Sequence, residues 1–361
     1  MASIRTVSTP SQPVGPERTG RPTLEQVAAR AGVSRATVSR VVNRTASVDP
    51  HLVDVVSRAI RELDYVPNQA ARALMTRRSS TVALVAAESE ARFFGDPFFA
   101  GIVRGASQEL SDAGMHLVIS MARSADDLDR VGSFVRGGHV DGVLVISEHD
   151  SVDVLGHLGQ AGVPVVMGGR PLSDHPEVAY VDHDNRAGGA LAARRLREVG
   201  RTRVGTIAGP QDMSAGVDRL AGFRDELGRD FDPLLVAEGD FTTASGAEAV
   251  DALLEQHPDV DALFVASDAM ALGAISRLRD RGRRVPEDVA VVGFDDADVA
   301  AVASPPLTTV RQRTTVQGRL MAQLLLLRLG LPVARPLPEI AADPEARRVV
   351  LDVDLVVRST A

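Results

Sequence analysis

The sequence predicts an N-terminal all-α headpiece of helix-turn-helix form, followed by a two-lobed α/β core of doubly wound parallel sheets. Three observations carry this expectation. Residues 1–80 hold 12 arginines against 6 acids, a net of +6, whereas the rest hold 28 arginines against 42 acids, a net of −14. The basic segment shows apolar residues at helical spacing only. From Thr81 onward, short β-branched runs alternate with helical stretches of roughly 10 to 16 residues, the pattern of a parallel α/β sheet. At 361 residues the chain exceeds one ordinary core, so two or three folding units are expected.

The bulk composition excludes several classes. The first 21 residues form a polar stretch without the apolar core of a secretion signal, and they read as a disordered arm. No apolar run reaches the roughly 18 to 20 residues that span a bilayer. A cytoplasmic protein with no membrane partner is expected. There is no cysteine, which removes thiol nucleophiles, disulfides and thiolate zinc sites. Every one of the 40 basic residues is arginine, so P-loop and Schiff-base lysines are also excluded. No G-x-S-x-G, H-E-x-x-H or G-x-G-x-x-G motif occurs. Glu148, His149 and Asp150 are adjacent at a strand end, where their side chains diverge, and they read as a solvated loop. We therefore expect no enzyme, no catalytic residue, no metal and no cofactor.

In the basic segment, Thr23 precedes Leu24-Glu25-Gln26 as a capping box. Leu24, Val27, Ala28 and Ala31 then make one apolar face, and Gly32 ends the helix. Ser34 caps a second helix, on which Val38, Val41 and Val42 face the first. Arg35, Ala36, Ser39 and Arg40 fall on the opposite arc. A third helix starts at Asp49-Pro50. Two helices joined by a glycine turn, with arginines on the outer arc of the second, suit entry into a DNA major groove. Arginine can donate bidentately to guanine there, and Ala36 allows close approach.

At "TVSRVVN" followed by "YVPNQAARALMTRRSSTVALV" the chain resembles the LacI/GalR family of bacterial transcription regulators, and the resemblance extends over nearly its whole length. It implies DNA contacts from Thr23, Ser34, Arg35, Ala36, Thr37, Ser39, Arg40 and Asn43. It also implies a hinge that turns helical on operator DNA, with Leu74 as a minor-groove wedge and Asn68, Ala71 and Arg72 beside it. A stretch of about eight residues cannot hold a helix alone in water, and an apolar wedge is a known way to kink a duplex. The organisation expected is an arm at 1–21, a DNA-binding domain at 22–66, a hinge at 67–80 and an effector-binding core at 81–361. Within that core, lobe 1 is placed at about 81–178 and 309–333, and lobe 2 at about 179–308 and 334–361. The family fold is periplasmic-binding-protein-like, with three crossovers between lobes.

The runs "TVALVAA", "HLVIS", "GVLVIS", "VPVVM", "RVGTIAG", "PLLVA", "ALFVAS" and "VAVVGF" read as buried strands. Ligands bind such sheets beyond the carboxyl ends of the strands. By resemblance, Asp96, Phe98 and Phe99 in "DPFFAGI" follow the first strand, with Asp96 where the family usually has asparagine. A few extra residues, including Phe93 and Phe94, precede them. Arg219, Phe241, Ser267, Asp268 and Asp295 match ligand-contacting positions. "GGRP" keeps Arg170, but Gly169 replaces a frequent aspartate. A carboxylate, a guanidinium and an aromatic face together suit a saccharide. "FFGDPFFAGIVRG", "GGRP", "AGPQDMSAGVDRL" and "GDFT" most resemble regulators that respond to cellobiose or other β-glucosides. The apolar stretch "TVQGRLMAQLLLLRL" fits either one buried helix or part of a dimer interface.

The function expected is a sequence-specific transcriptional repressor, a homodimer on a palindromic double-stranded DNA operator, controlled by a small saccharide effector. The alternative is a solute-binding protein for a saccharide without a transcriptional role, which would share the core but not the headpiece.

Overall fold

The computed structural model describes residues 22–42, 48–66, 78–149, 154–159, 162–173 and 175–361. The chain divides into two compact units, residues 1–77 and 78–361. The expected arm at 1–21 lies outside the described residues, as do Asn43 and the hinge positions Asn68, Ala71, Arg72 and Leu74.

In the first unit, α1 (Leu24–Ala31), α2 (Arg35–Val42) and α3 (Pro50–Glu62) enclose a small core. The capping box at Thr23 forms: its N–H donates to Gln26 Oε1 at 2.8 Å, and its Oγ1 accepts from Gln26 N at 3.3 Å. Gly32 stops α1 at φ 66°, a left-handed conformation that costs glycine little. Ser34 Oγ accepts from Thr37 N at 3.1 Å at the head of α2. At the head of α3, Asp49 accepts from His51 N at 2.8 Å while Pro50 supplies a preset φ. Val27, Val38 and Val56 are fully buried, and Val41 and Val42 pack against them.

The second unit contains two six-stranded sheets. The chain first makes β1 (Thr81–Ala86), α4 (Glu90–Gly95), α5 (Pro97–Asp112), β2 (His116–Met121), α6 (Ala125–Arg136), β3 (Gly142–Ile146), α7 (Val154–Gly159), β4 (Val165–Gly168) and β5 (Ala179–His183). It then crosses to α8 (Asn185–Glu198), β6 (Val204–Ala208), α9 (Ser214–Leu227), β7 (Val236–Glu238), α10 (Thr243–Gln256) and β8 (Ala262–Val265). The same lobe continues through α11 (Asp268–Asp280), β9 (Ala290–Asp295), α12 (Asp298–Val302) and β10 (Thr308–Arg311). A return supplies α13 (Thr314–Arg328), α14 (Pro338–Ala342) and β11 (Arg348–Leu351), and β12 (Asp354–Val356) crosses once more.

The strand orders are β11-β5-β4-β3-β1-β2 and β12-β10-β9-β8-β6-β7, parallel except for the β10–β12 pair. Strands in such a sheet are covered on both faces, which explains their nearly unbroken apolar runs. In β1, Val82, Leu84 and Ala86 enter one core, and Ala83 and Val85 enter the other.

Two expectations need correction. Ala179–His183 pairs with β4, and Arg348–Leu351 pairs with Ala179–His183, so both belong to the first sheet. Lobe 1 therefore runs past 178, and the lobe 2 segment does not begin at 334. Four strands also escaped the pattern: β5, β10, β11 and β12, all short and adjoining crossovers. The stretch at "PLLVA" is a 3-10 turn, Pro233–Leu235, before it becomes β7.

Helix α13 is buried on nearly all sides within this one chain, with Leu320, Met321, Ala322, Gln323, Leu324 and Leu325 inaccessible. It crosses α5 at very close range. A Cβ on Gly318 would stand 2.2 Å from Ile102 O, and one on Gly105 would stand 2.1 Å from Thr315 O, so only hydrogen fits at this crossing. Among the described residues, no helix is long and apolar enough to cross a membrane.

Candidate functional site

Two surfaces stand out, one in each unit. On the headpiece, Ser34 just before α2 and Arg35, Ala36 and Arg40 on it are exposed, while Thr37 and Ser39 are half-buried beside them. Thr23 caps α1 and is exposed. Arg35 is not idle: its Nε lies 3.1 Å from Glu25 Oε1, with the two side chains 73% and 61% exposed. An exposed pair of this kind contributes little to stability, so a stronger anion displaces Glu25 easily. Sequence spacing gave no reason to expect that pair.

In the core, the strand ends of both sheets line a cleft of about 690 Å³, part of it open to solvent. That position follows from the topology, because loops leaving parallel strands at their carboxyl ends diverge and leave a crevice. Of the expected effector residues, Asp96, Phe98, Arg170, Arg219, Phe241, Ser267 and Asp295 line this cleft.

Phe99 and Asp268 do not line it. Phe99 is 0% exposed and stacks on Phe93 at 5.1 Å, because its place on the first turn of α5 points it into the lobe 1 core. Asp268 is 1% exposed and accepts from Thr309 Oγ1 at 2.6 Å and Ala297 N at 2.9 Å. It braces the loop that carries Asp295.

Arg219 is the most enclosed cation of the site, at 5% exposure. Helix α9 presents it so that Nε donates to Asn185 Oδ1 at 2.9 Å and Nη1 to Ala266 O at 2.6 Å. Its guanidinium lies 3.7 Å from the Phe294 ring centroid and 5.7 Å from that of Phe241. Burial pulls its pKa down, and Asp295, Asp182, Asp96 and Asp268 hold it up.

Asp295 Oδ1 stands 3.8 Å from Arg219 Nη1, too far for a hydrogen bond, and accepts from Gln312 Nε2 at 2.6 Å. Burial pushes Asp295 up to about 7, with Arg219 opposing it. Asp182 is raised to about 6, again by burial, although it accepts from His183 N, Arg170 N and Asn185 Nδ2. These carboxyls therefore sit near their titration range at neutral pH.

Among the described residues, three that line the cleft adopt positive φ without being glycine: Ser147 at 57°, Phe241 at 65° and Asp295 at 123°. Such conformations cost on the order of 1–3 kcal/mol each and gather where a site needs fixed geometry. The cleft thus has strained walls, an aromatic face, and donors and acceptors from both lobes.

Arg170 departs from a simple ligand contact. Its Nε and Nη2 donate to both oxygens of Asp218 at 2.6 and 2.8 Å, and Ser214 Oγ donates to its carbonyl at 2.8 Å. It ties β4 of one lobe to α9 of the other. Sequence reasoning missed Arg92, Ser147, Asp182, Asn185, Gln312 and Gln317, which also line the cleft or hold its members. The expected solvated loop is corrected at Glu148, which lines the cleft, and at His149, which meets Asp212 and Glu88, while Asp150 lies outside the described residues. Asp182, Asn185 and Gln312 adjoin the crossovers, where the strands are short and partly polar, so the apolar pattern does not mark these positions as strand ends.

A basic helix-turn-helix unit joined to a two-lobed core with a polar, aromatic-walled cleft defines a transcription regulator with a ligand-binding core. Comparison with known proteins agrees. The family "Bacterial regulatory proteins, lacI family" matches residues 23–68, and the "Periplasmic binding protein-like domain" matches residues 193–361. The HTH-type transcriptional regulator CelR of Thermobifida fusca is 50% identical over 95% of this chain and 99% of its own length. The repressor PurR of Haemophilus influenzae (strain PittEE) is 34% identical over 85% of this chain and 91% of its own length.

Among solved structures, a CelR–cellobiose complex aligns with TM-score 0.73 and 49% identity, covering 94% of this chain and all of that one. A lac repressor dimer bound to operator and the anti-inducer ONPF aligns with TM-score 0.80 and 27% identity, covering 94% and 99%. The chain belongs to the lacI family of bacterial regulatory proteins.

Proposed function

We propose that this protein is a repressor that binds a palindromic operator as a homodimer and changes its operator affinity when a saccharide, cellobiose or another β-glucoside, enters the interlobe cleft. The observation that carries the reading is the Arg219–Asp295 pair beside Phe241. A guanidinium and a carboxylate 3.8 Å apart retain hydrogen-bonding capacity toward vicinal hydroxyls, and the ring offers an apolar face for a pyranose. The 49% identity to a chain solved with cellobiose supports the choice of sugar.

On the DNA side, α2 supplies Arg35, Ala36, Thr37, Ser39 and Arg40, with Thr23, Ser34 and Asn43 flanking them. The hinge positions Asn68, Ala71, Arg72 and Leu74 complete the contact in the minor groove. No cofactor or metal enters this scheme, and the regulator acts in the cytoplasm. Ligand acts by preferring one arrangement of the lobes, and that preference sets how strongly it shifts the DNA-competent population. A solute-binding protein without a regulatory role would have no use for a basic helix-turn-helix, and we set it aside.

Arg219→Ala tests the cleft. Operator binding by the variant is expected not to respond to cellobiose in a gel-shift titration. A response of wild-type size would place the effector elsewhere.

A further inference from the structure

The short helix α4, in the stretch that precedes "DPFF", delivers one cation to the cleft. The Arg92 side chain is 12% exposed. Its Nη1 donates to Glu88, which also accepts from Ser147 Oγ at 2.6 Å and lies 3.4 Å from His149 Nε2. The plane of the guanidinium rests near two rings, 4.9 Å from the centroid of Phe241 on the other lobe and 5.6 Å from that of Phe99. Glu88 and the rings therefore fix the orientation of the group.

One edge of it remains. Nε is buried and has no hydrogen-bond partner among the described residues, and Nη2 makes no bond to them either. These two N–H groups form the fork that arginine uses for paired acceptors. A matching deficit lies on α13. Gln317 lines the same cleft and gives Nε2 to Val181 O at 2.8 Å, while its Oε1 is buried without a partner. Buried polar atoms are nearly always paired. Open Nε atoms also occur away from the cleft, at Arg195, Arg201, Arg203 and Arg277, so it is the donor and the acceptor left open together in one cleft that point to an occupant supplying both.

The chemistry of that occupant is constrained. A fully ionised group would satisfy Arg92 but has no proton to give Gln317. Its charge would face Asp96, Asp182, Asp295 and Glu148 around the same cleft, which disfavours an anionic sugar even where its hydroxyls can donate. A cation would satisfy only Gln317. A hydroxyl both donates and accepts, and vicinal hydroxyls match the spacing of the arginine fork.

We infer that Arg92 and Gln317 are specificity-determining residues, which grip hydroxyl groups of the effector from the first lobe and select a neutral saccharide over an anionic one. The inference rests on the saccharide reading of the cleft. Arg92 takes adjacent hydroxyl oxygens on Nε and Nη2, and Gln317 Oε1 accepts a hydroxyl proton. The Phe241 contact ties this grip to the opposite lobe.

The test is calorimetric titration of the full-length protein with cellobiose and, as an anionic probe, glucose 6-phosphate. Arg92→Gln and Gln317→Leu are expected to weaken cellobiose binding by at least about tenfold each. Arg92→Lys keeps a cation beside Glu88 and over the rings but has no fork. It is expected to lose affinity similarly, with ligand-free melting temperature as the folding control for all three. Wild-type affinity in the folded variants, or tighter binding of glucose 6-phosphate than of cellobiose, would overturn the inference while leaving a sugar site in place. A wild-type protein that binds neither probe nor any of a panel of other β-glucosides would overturn the saccharide reading and the inference with it.

Discussion

Asp295 stands 3.8 Å from the Arg219 guanidinium with burial pushing it up to about 7, so its protonation is undecided at neutral pH. Saccharide hydroxyls that donate to its carboxylate favour the ionised form and lower its pKa in the complex. Binding then releases a proton, and affinity is expected to rise between about pH 6 and pH 8, by at most about tenfold per pH unit, and to level off above. Calorimetry in buffers of differing ionisation enthalpy measures that proton directly, and a flat profile would remove Asp295 from the contact.

At this scale the sequence was partly legible. Arg219, Phe241 and Asp295 follow recognisable strand-end stretches, and the structure brings them to one cleft. Asp268 shares such a stretch with Ser267, yet neighbouring residues on a helix start point in different directions, and only Ser267 reaches the cleft. Arg92 was illegible for a different reason. Glu88 is a near neighbour in sequence, but the role of Arg92 also depends on Ser147 and Phe241, which only the folded chain brings near it.

Helix α2 shows how an element divides its duties. Val38 at zero exposure fixes the helix to its neighbours, while Arg35 and Arg40 stay exposed on the other arc. Arg35→Ala and Arg40→Ala should each weaken binding to the preferred operator by about 1–3 kcal/mol, and more than they weaken binding to unrelated DNA. Fluorescence anisotropy against both duplexes separates the two, and equal losses would reduce these arginines to phosphate contacts.

The caps and glycine turn of the headpiece were legible because each is a local contest between neighbouring residues. The strands at 179–183, 308–311, 348–351 and 354–356 were not. They have three to five residues, several of them polar, and gain their stability from partners far away in sequence, such as Tyr180 against Arg348. For the same reason the expected lobe limits were misplaced.

Across the core, the two lobes meet through a small set of polar contacts as well as through the cleft. Arg170 grips Asp218, Ser214 donates to the Arg170 carbonyl, and His149 Nδ1 lies 2.9 Å from Asp212 Oδ2. Each joins a loop of the first sheet to α9 or to the turn just before it. A ligand that binds both walls competes with or reinforces these contacts, and the difference in its affinity for the two arrangements is all the free energy available for regulation. The charge division belongs to this scale too, since a +6 segment attached to a −14 remainder directs a polyanion toward the headpiece.

The proposed function requires that occupancy of the cleft change DNA affinity. Fluorescence anisotropy of the full-length protein on a palindromic operator duplex, selected from a randomised library, tests it most directly when repeated with and without saturating cellobiose. A shift of at least about fivefold in operator Kd is predicted, the lower end of ordinary coupling between sites. An operator Kd that stays the same while calorimetry shows cellobiose bound would contradict the account.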